Sequence, residues 1–198
     1  MGLLAGLRLL AVDTETTGFD ADAGDRLVEV ARVEIANGAL GEDWSSLVNP
    51  GRAIPPGATS VHKITDAMVA GAPGPAEVGR ALREACGDLP LVFHNAPFDL
   101  PFLRHLFRGA GAPELLNPIV DTLGLARGLP QAGSNRLEDV AKRYGIAPEN
   151  AHRALGDART TARLFLALAE RWEREKGVRS LAELAAVSQD VIRATARR

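Results

Sequence analysis

The segment Leu9-Leu10-Ala11-Val12-Asp13-Thr14-Glu15-Thr16-Thr17-Gly18 constrains this chain more than any other. The apolar run from Leu7 to Val12 is short enough to be a strand buried on both faces, and it delivers two carboxylates, Asp13 and Glu15, just past its end. Side chains alternate along a strand, so positions 13 and 15 point the same way. Two like charges held side by side raise each other's pKa and oppose folding unless a cation lies between them. Oxygen ligands of this kind suit magnesium or manganese. The stretch therefore reads as half of a metal site. The alternative is that both acids are solvated turn residues and Thr-Thr-Gly ends the strand.

The 198 residues fit one domain with a proper core, and 46% hydrophobic with 24% charged residues is ordinary globular composition. Gly6 and Arg8 interrupt the first apolar run, which lacks a basic start and a cleavage site, so neither a signal peptide nor a membrane span is expected. The expected location is the cytoplasm. Cys86 is the only cysteine, which excludes an internal disulfide and a cysteine-rich zinc site and leaves a small core residue. A net charge of -2 advertises no global attraction to nucleic acid, although an enzyme gripping a short single-stranded end needs none.

Asn37-Gly38 between two β-branched runs predicts a hairpin, making the first three strands antiparallel. Prolines and glycines from Asn49 to Ser60 predict a long irregular loop, followed by His62 and a short helix from Thr65. Pro75 opens a better helix that runs to Gly87. Leu89 to Phe93 reads as a buried strand ending in His94-Asn95-Ala96-Pro97-Phe98-Asp99, with a helix beginning about Pro97. Pro118 to Asp121 reads as a fifth strand, Thr122 to Arg127 as a helix, and Leu137 to Tyr144 as another, stopped by Gly145. The longest helical pattern runs from Ala151 to Trp172 and carries His152 and Asp157 in its first two turns. Residues 1–172 form the expected catalytic body and 173–198 a charged helical tail around Leu181, Leu184 and Val187.

Taken singly, Asp99 reads as a charge at a helix N-terminus, His152 as a helix-start polar residue, and Asp157 as a partner for Arg153 or Arg159. Together they fit one chemistry. Two-metal phosphodiester hydrolysis needs converging carboxylates, a water made nucleophilic and a base for its proton. Asp13, Glu15, Asp99 and Asp157 supply the carboxylates, and His152 is the one obvious base near them. Five residues along a helix is about one and a half turns, so His152 reaches the mouth while Asp157 points inward only if the helix start is irregular.

Three motifs in order now identify a family. Asp13-Thr14-Glu15-Thr16-Thr17-Gly18, His94-Asn95-Ala96-Pro97-Phe98-Asp99 with Phe102-Leu103, and His152-Arg153-Ala154-Leu155-Gly156-Asp157-Ala158 together resemble the DEDDh 3′-5′ exonucleases of the DnaQ-like superfamily. That family includes the proofreading subunit of bacterial replicative DNA polymerase. The resemblance spans roughly residues 7 to 170 and takes in Val61-His62-Lys63-Ile64-Thr65, where relatives usually carry glycine in place of Lys63.

The resemblance implies an α/β, ribonuclease-H-like fold with a mixed five-stranded sheet, three strands antiparallel and two parallel, flanked by helices. It implies two Mg2+ or Mn2+ ions. Asp13 would bridge both, Glu15 and Asp157 would complete the first, and Asp99 would hold the second largely through water. His152 would deprotonate the attacking water. Thr14, Thr16 and Thr17 would cup the terminal nucleotide, with His62, Asn95 and Phe98 as further substrate contacts. Phe98 and Phe102 are equally core aromatics, and His94 more often orders its loop than touches substrate. The implied substrate is a single-stranded or frayed 3′ end of DNA, with a DNA polymerase as partner and no membrane. Two alternatives stand beside it: an RNA-directed 3′-5′ exonuclease, and a catalytically silent nucleic-acid-binding module. All five chemical positions are filled, which argues against the silent module.

Overall fold

The computed structural model describes residues 2–130 and 132–196, and among them no helix is long and apolar enough to cross a membrane. Strand β1 (Arg8–Thr16) carries Leu9 and Ala11 into one core and Leu10 and Val12 into another, so both faces of the strand are covered. That is the physical reason for an unbroken apolar run. The strand outlasts the run, so Asp13 and Glu15 lie within β1 and not past its end. The antiparallel β2 (Leu27–Ala36) continues the ladder beside them, pairing Asp13 with Ala31 and Glu15 with Glu29, until the register shifts after Glu15. Parity then assigns the faces: Asp13 and Glu15 follow Leu9 and Ala11, whereas Thr14 follows Leu10 and Val12.

Asn37 and Gly38, with φ of 52° and 78°, form the expected tight turn into β3 (Ala39–Leu47), since two successive left-handed residues match the twist of a hairpin. The segment expected to be loop is irregular up to Pro55, but its last part, from Pro56, belongs to helix α1 (Pro56–His62). Its prolines start that helix because Pro55 is the N-cap and Pro56 the first helical residue, where an N–H would have no partner anyway. Lys63 closes α1 in the left-handed region at φ 62°, a position that favours glycine, so its side chain brings strain to this loop. Helices α2 (Asp66–Val69) and α3 (Pro75–Cys86) follow, and Cys86 is buried as expected.

Strand β4 (Leu91–Phe93) runs parallel to β1, helix α4 (Ala96–Gly109) returns, and β5 (Ile119–Asp121) runs parallel to β4. The sheet order is β3-β2-β1-β4-β5, the mixed five-stranded ribonuclease-H-like arrangement. Helices α5 (Thr122–Arg127), α6 (Leu137–Arg143), α7 (Ala154–Lys176) and α8 (Leu181–Ala196) complete the chain. One face of the sheet packs on α7 through Leu9, Ile35, Val92, Phe165 and Leu168, and the other on α3 and α4 through Leu10, Phe93, Leu82, Leu103 and Phe107.

The 172/173 boundary falls inside α7, and α8 lies on α5 and β5 with Leu184 and Ser188 buried. The Asp121 N–H donates to Ser188 Oγ at 3.1 Å, and a Cβ on Gly124 would stand 2.1 Å from the Ser188 carbonyl oxygen. Only glycine permits that approach.

Candidate metal and nucleic-acid site

The parity of β1 sends its acids to two helices. On the α7 face, carboxylate oxygens of Asp13, Glu15 and Asp157 all lie within 4.8 Å of one another, close enough to hold a metal ion. On the α4 face, Thr14 Oγ1 donates to Asp99 Oδ1 at 2.6 Å, which ties the second motif to the first. None of the described residues donates a side-chain hydrogen bond to Asp13 or Glu15. Burial, then Asp99 and Asp157, push the Asp13 carboxyl well above the usual carboxylate range. Burial and Asp157 push Glu15 up to about 8, against a smaller downward pull from Arg153. Asp99 rises to about 7 and Asp157 to about 6, each chiefly through burial. Four acids whose ionised forms are this disfavoured form a cluster that a cation would stabilise.

The start of α7 differs from expectation. His152 is not in the helix: it precedes it in the left-handed region at φ 62°, and the helix begins at Ala154. This irregular start is what lets two residues five apart reach one place, because the His152 N–H donates back to Asp157 Oδ2 at 3.0 Å. Gly156 makes room for the incoming chain, since a Cβ there would stand 2.0 Å from the Glu149 carbonyl oxygen. The His152 ring is half-exposed, with Nε2 3.4 Å from Glu138 Oε1. Asp157 pairs with neither Arg153 nor Arg159. Arg159 bonds Asp43 and Glu149, and Arg153 forks onto Glu29.

A cleft of about 910 Å³ joins Asp13, Asn95, His152 and Asp157 to the loop before α6 and its residues Asn135 and Arg136. Asn95 is the left-handed N-cap of α4, at φ 75°. His94 orders the cleft wall, as expected: its ring nitrogens lie 2.8 Å from Thr122 Oγ1 and 2.9 Å from the Asn135 carbonyl oxygen.

The other expected substrate contacts divide. The hydroxyls of Thr14, Thr16 and Thr17 donate within the chain, to Asp99, to the Gly18 carbonyl and to Asp25. His62 is buried and lines a neighbouring cavity of about 520 Å³ together with Glu29 and Arg153. Its Nδ1 accepts from Ile64 N at 3.0 Å, and burial lowers its pKa. Phe98 is half-buried, with its ring centroid 5.5 Å from that of the core residue Phe102 and 6.3 Å from that of Phe19, which is 90% exposed.

Sequence reasoning passed over three residues of this region. Phe19 carries no signal of its own in a stretch rich in Gly and Asp. Glu29 carried a readable signal, as a lone acid in the buried run Leu27-Val28-Glu29-Val30, where a charge requires a partner. Asp121 looked like the plain end of a strand, yet it is wholly buried and accepts the N–H groups of Asn95, Ala96 and Leu123 at 3.0, 2.8 and 2.9 Å.

With this geometry established, comparison with known proteins defines the class. The sequence matches the exonuclease family over residues 10–165, and the chain belongs to that family. It is 46% identical over 173 residues to a DNA polymerase III subunit epsilon-like protein of Rhodobacter capsulatus, covering 82% of this chain and 24% of that protein. It is 36% identical over 173 residues to the PolC-type DNA polymerase III of Pediococcus pentosaceus, covering 86% of this chain and 12% of that one. The chain thus spans about a quarter or less of these relatives. Among solved structures it is similar to exonuclease X in complex with 5′ overhanging duplex DNA, with a TM-score of 0.70, 28% identity, and coverage of 91% of this chain and 99% of that one.

Proposed function

We propose that this chain is a metal-dependent 3′-5′ exonuclease that removes nucleotides from single-stranded or frayed 3′ ends of DNA. The observation that carries the reading is the convergence of Asp13, Glu15 and Asp157 within 4.8 Å, with no donor to Asp13 or Glu15 among the described residues and all three pKa values raised. A set of hard carboxylate oxygens crowded by like charge fits Mg2+ or Mn2+. Asp13, Glu15 and Asp157 would hold one ion, and Asp99, together with Asp13, would hold a second. A metal held by these residues would supply a Lewis acid for the phosphoryl group and lower the pKa of a bound water.

The chain's own residues do the rest. His152, at the mouth of the cleft, takes the proton of the attacking water and must be neutral to do so. Thr14 holds Asp99 in place through its hydroxyl. The turn from Thr16 to Gly18, with Asn95 and Phe98 opposite, encloses the terminal nucleotide. The reacting unit is assigned to residues 1–172, with 173–198 as a tail whose helix α8 lies on α5 and β5. Resemblance to polymerase-associated relatives supports work beside a DNA polymerase in the cytoplasm.

The test is degradation of 3′-labelled single-stranded DNA, matched duplex DNA and RNA of equal sequence, each with magnesium, with manganese and with excess chelator. Metal-dependent release of mononucleotides, fastest from single-stranded DNA, is expected. Full activity in chelator contradicts the metal assignment, and faster loss of RNA than DNA selects the RNA-directed alternative.

A further inference from the structure

We propose that the Glu29–Arg153 pair is a positioning device for His152, a role that rests on the assignment of His152 as the base. Glu29 sits on β2, directly across the ladder from Glu15, and is 3% exposed. It receives three hydrogen bonds, all from the entry to α7: Arg153 Nε at 3.0 Å, Arg153 Nη2 at 2.6 Å and the Ala154 N–H at 2.9 Å. Both carboxylate oxygens are thereby engaged in a planar fork, the geometry that distinguishes arginine from lysine.

The consequence falls on the preceding residue. His152 holds a left-handed backbone that a side-chain-bearing residue adopts only at a cost, so something must impose it. Two ties on either side do so. Asp157 captures the His152 N–H from inside α7, and Glu29 captures residues 153 and 154 from the sheet. With the Glu29 tie loosened, the first turn of α7 is free to take up residues 152 and 153 as ordinary helix, which rotates the imidazole away from the cleft. Asp157, deeper in the helix, keeps its place beside Asp13 and Glu15. The pair therefore acts on the base and leaves the metal ligands where they are.

Arg153→Lys is the sharpest probe, because it keeps the charge beside Glu15 while replacing the fork by a point contact. A second probe, Glu29→Gln, keeps an acceptor oxygen and the shape. Both are measured well below their melting midpoints on single-stranded DNA with magnesium, alone and combined with His152→Ala. Each single variant is expected to lower kcat by about tenfold or more, as for a catalytic group displaced by an ångström, with KM held within about threefold. In the His152→Ala background neither is expected to lower kcat further, since the group they position is gone. Arg153→Lys is also expected to retain the full rise in melting midpoint on adding magnesium, a readout independent of turnover.

Normal kcat in both single variants overturns the proposal. So does an additive loss on top of His152→Ala, or loss of the magnesium-induced rise in Arg153→Lys, since either means that the pair acts through the metal ligands. The prior assignment fails in a different way: His152→Ala itself would retain turnover.

Discussion

Two groups of acids stand at the same end of the same sheet, one buried and one half-buried, and they are built in opposite ways. Asp121, at the end of β5, is wholly buried and receives three backbone N–H groups, which join the start of α4 to the start of α5. Asp13 and Glu15, on β1, receive none from the described residues and face Asp157 and one another. A buried carboxylate supplied with donors is a structural anchor, whereas half-buried carboxylates surrounded chiefly by like charge are a site suited to a cation. Glu29 belongs with Asp121 by this measure, although it lies opposite Glu15 in the ladder. Burial and acidity therefore do not separate scaffold from chemistry; the direction of the surrounding donors does.

The same substitution made in both groups tests this contrast. Asp13→Asn is expected to reduce turnover by about 10³-fold, the several kcal/mol that a properly held metal contributes to a phosphoryl transition state. Its melting midpoint in chelator is expected to hold or rise, because one repelling charge is gone. Asp121→Asn is expected to destabilise by about 3 kcal/mol, since an amide offers an N–H where an acceptor was needed. Urea unfolding of the two variants reads both directions. An Asp13→Asn variant as destabilised as Asp121→Asn breaks the comparison.

A smaller effect distinguishes the groups by pH. The folded values of Glu15, about 8, Asp99, about 7, and Asp157, about 6, stand above their ordinary values of 4.5, 3.8 and 3.8, so the folded state holds protons that the unfolded chain releases. Their protonated forms favour folding fully at acid pH, below the unfolded values, and that contribution is lost as pH rises through about 6 to about 8. The metal-free melting midpoint should thus fall by several degrees from pH 5 to pH 8.5. Magnesium should cancel much of the fall, and Glu15→Gln should remove its upper part. A midpoint flat with pH in chelator means that the acids do not repel. The smallest effect is the exposed control: Asp43→Asn, which loses the surface pair with Arg159, is expected to change stability by about 1 kcal/mol or less in urea unfolding.

Much of this site was legible in the linear chain. Leu9 to Val12 read as a strand covered on both faces, as it is, and parity along it placed Asp13 and Glu15 on one side. Asn37-Gly38 dictated the hairpin, and three motifs in order dictated the family. These are local matters, set by side-chain alternation, turn dihedrals and the spacing of chemical groups within one segment. The tertiary structure alone decided what each acid meets. Nothing near Glu29 in sequence announces Arg153, 124 residues away, and nothing near Asp121 announces the N–H groups of Asn95 and Ala96. His152 stands outside its helix in a left-handed turn, beside residues 153 and 154 that Glu29 holds from across the sheet. Whether a buried charge is anchored or left unmatched depends on donors that arrive from across the sheet, and only the folded chain brings them there.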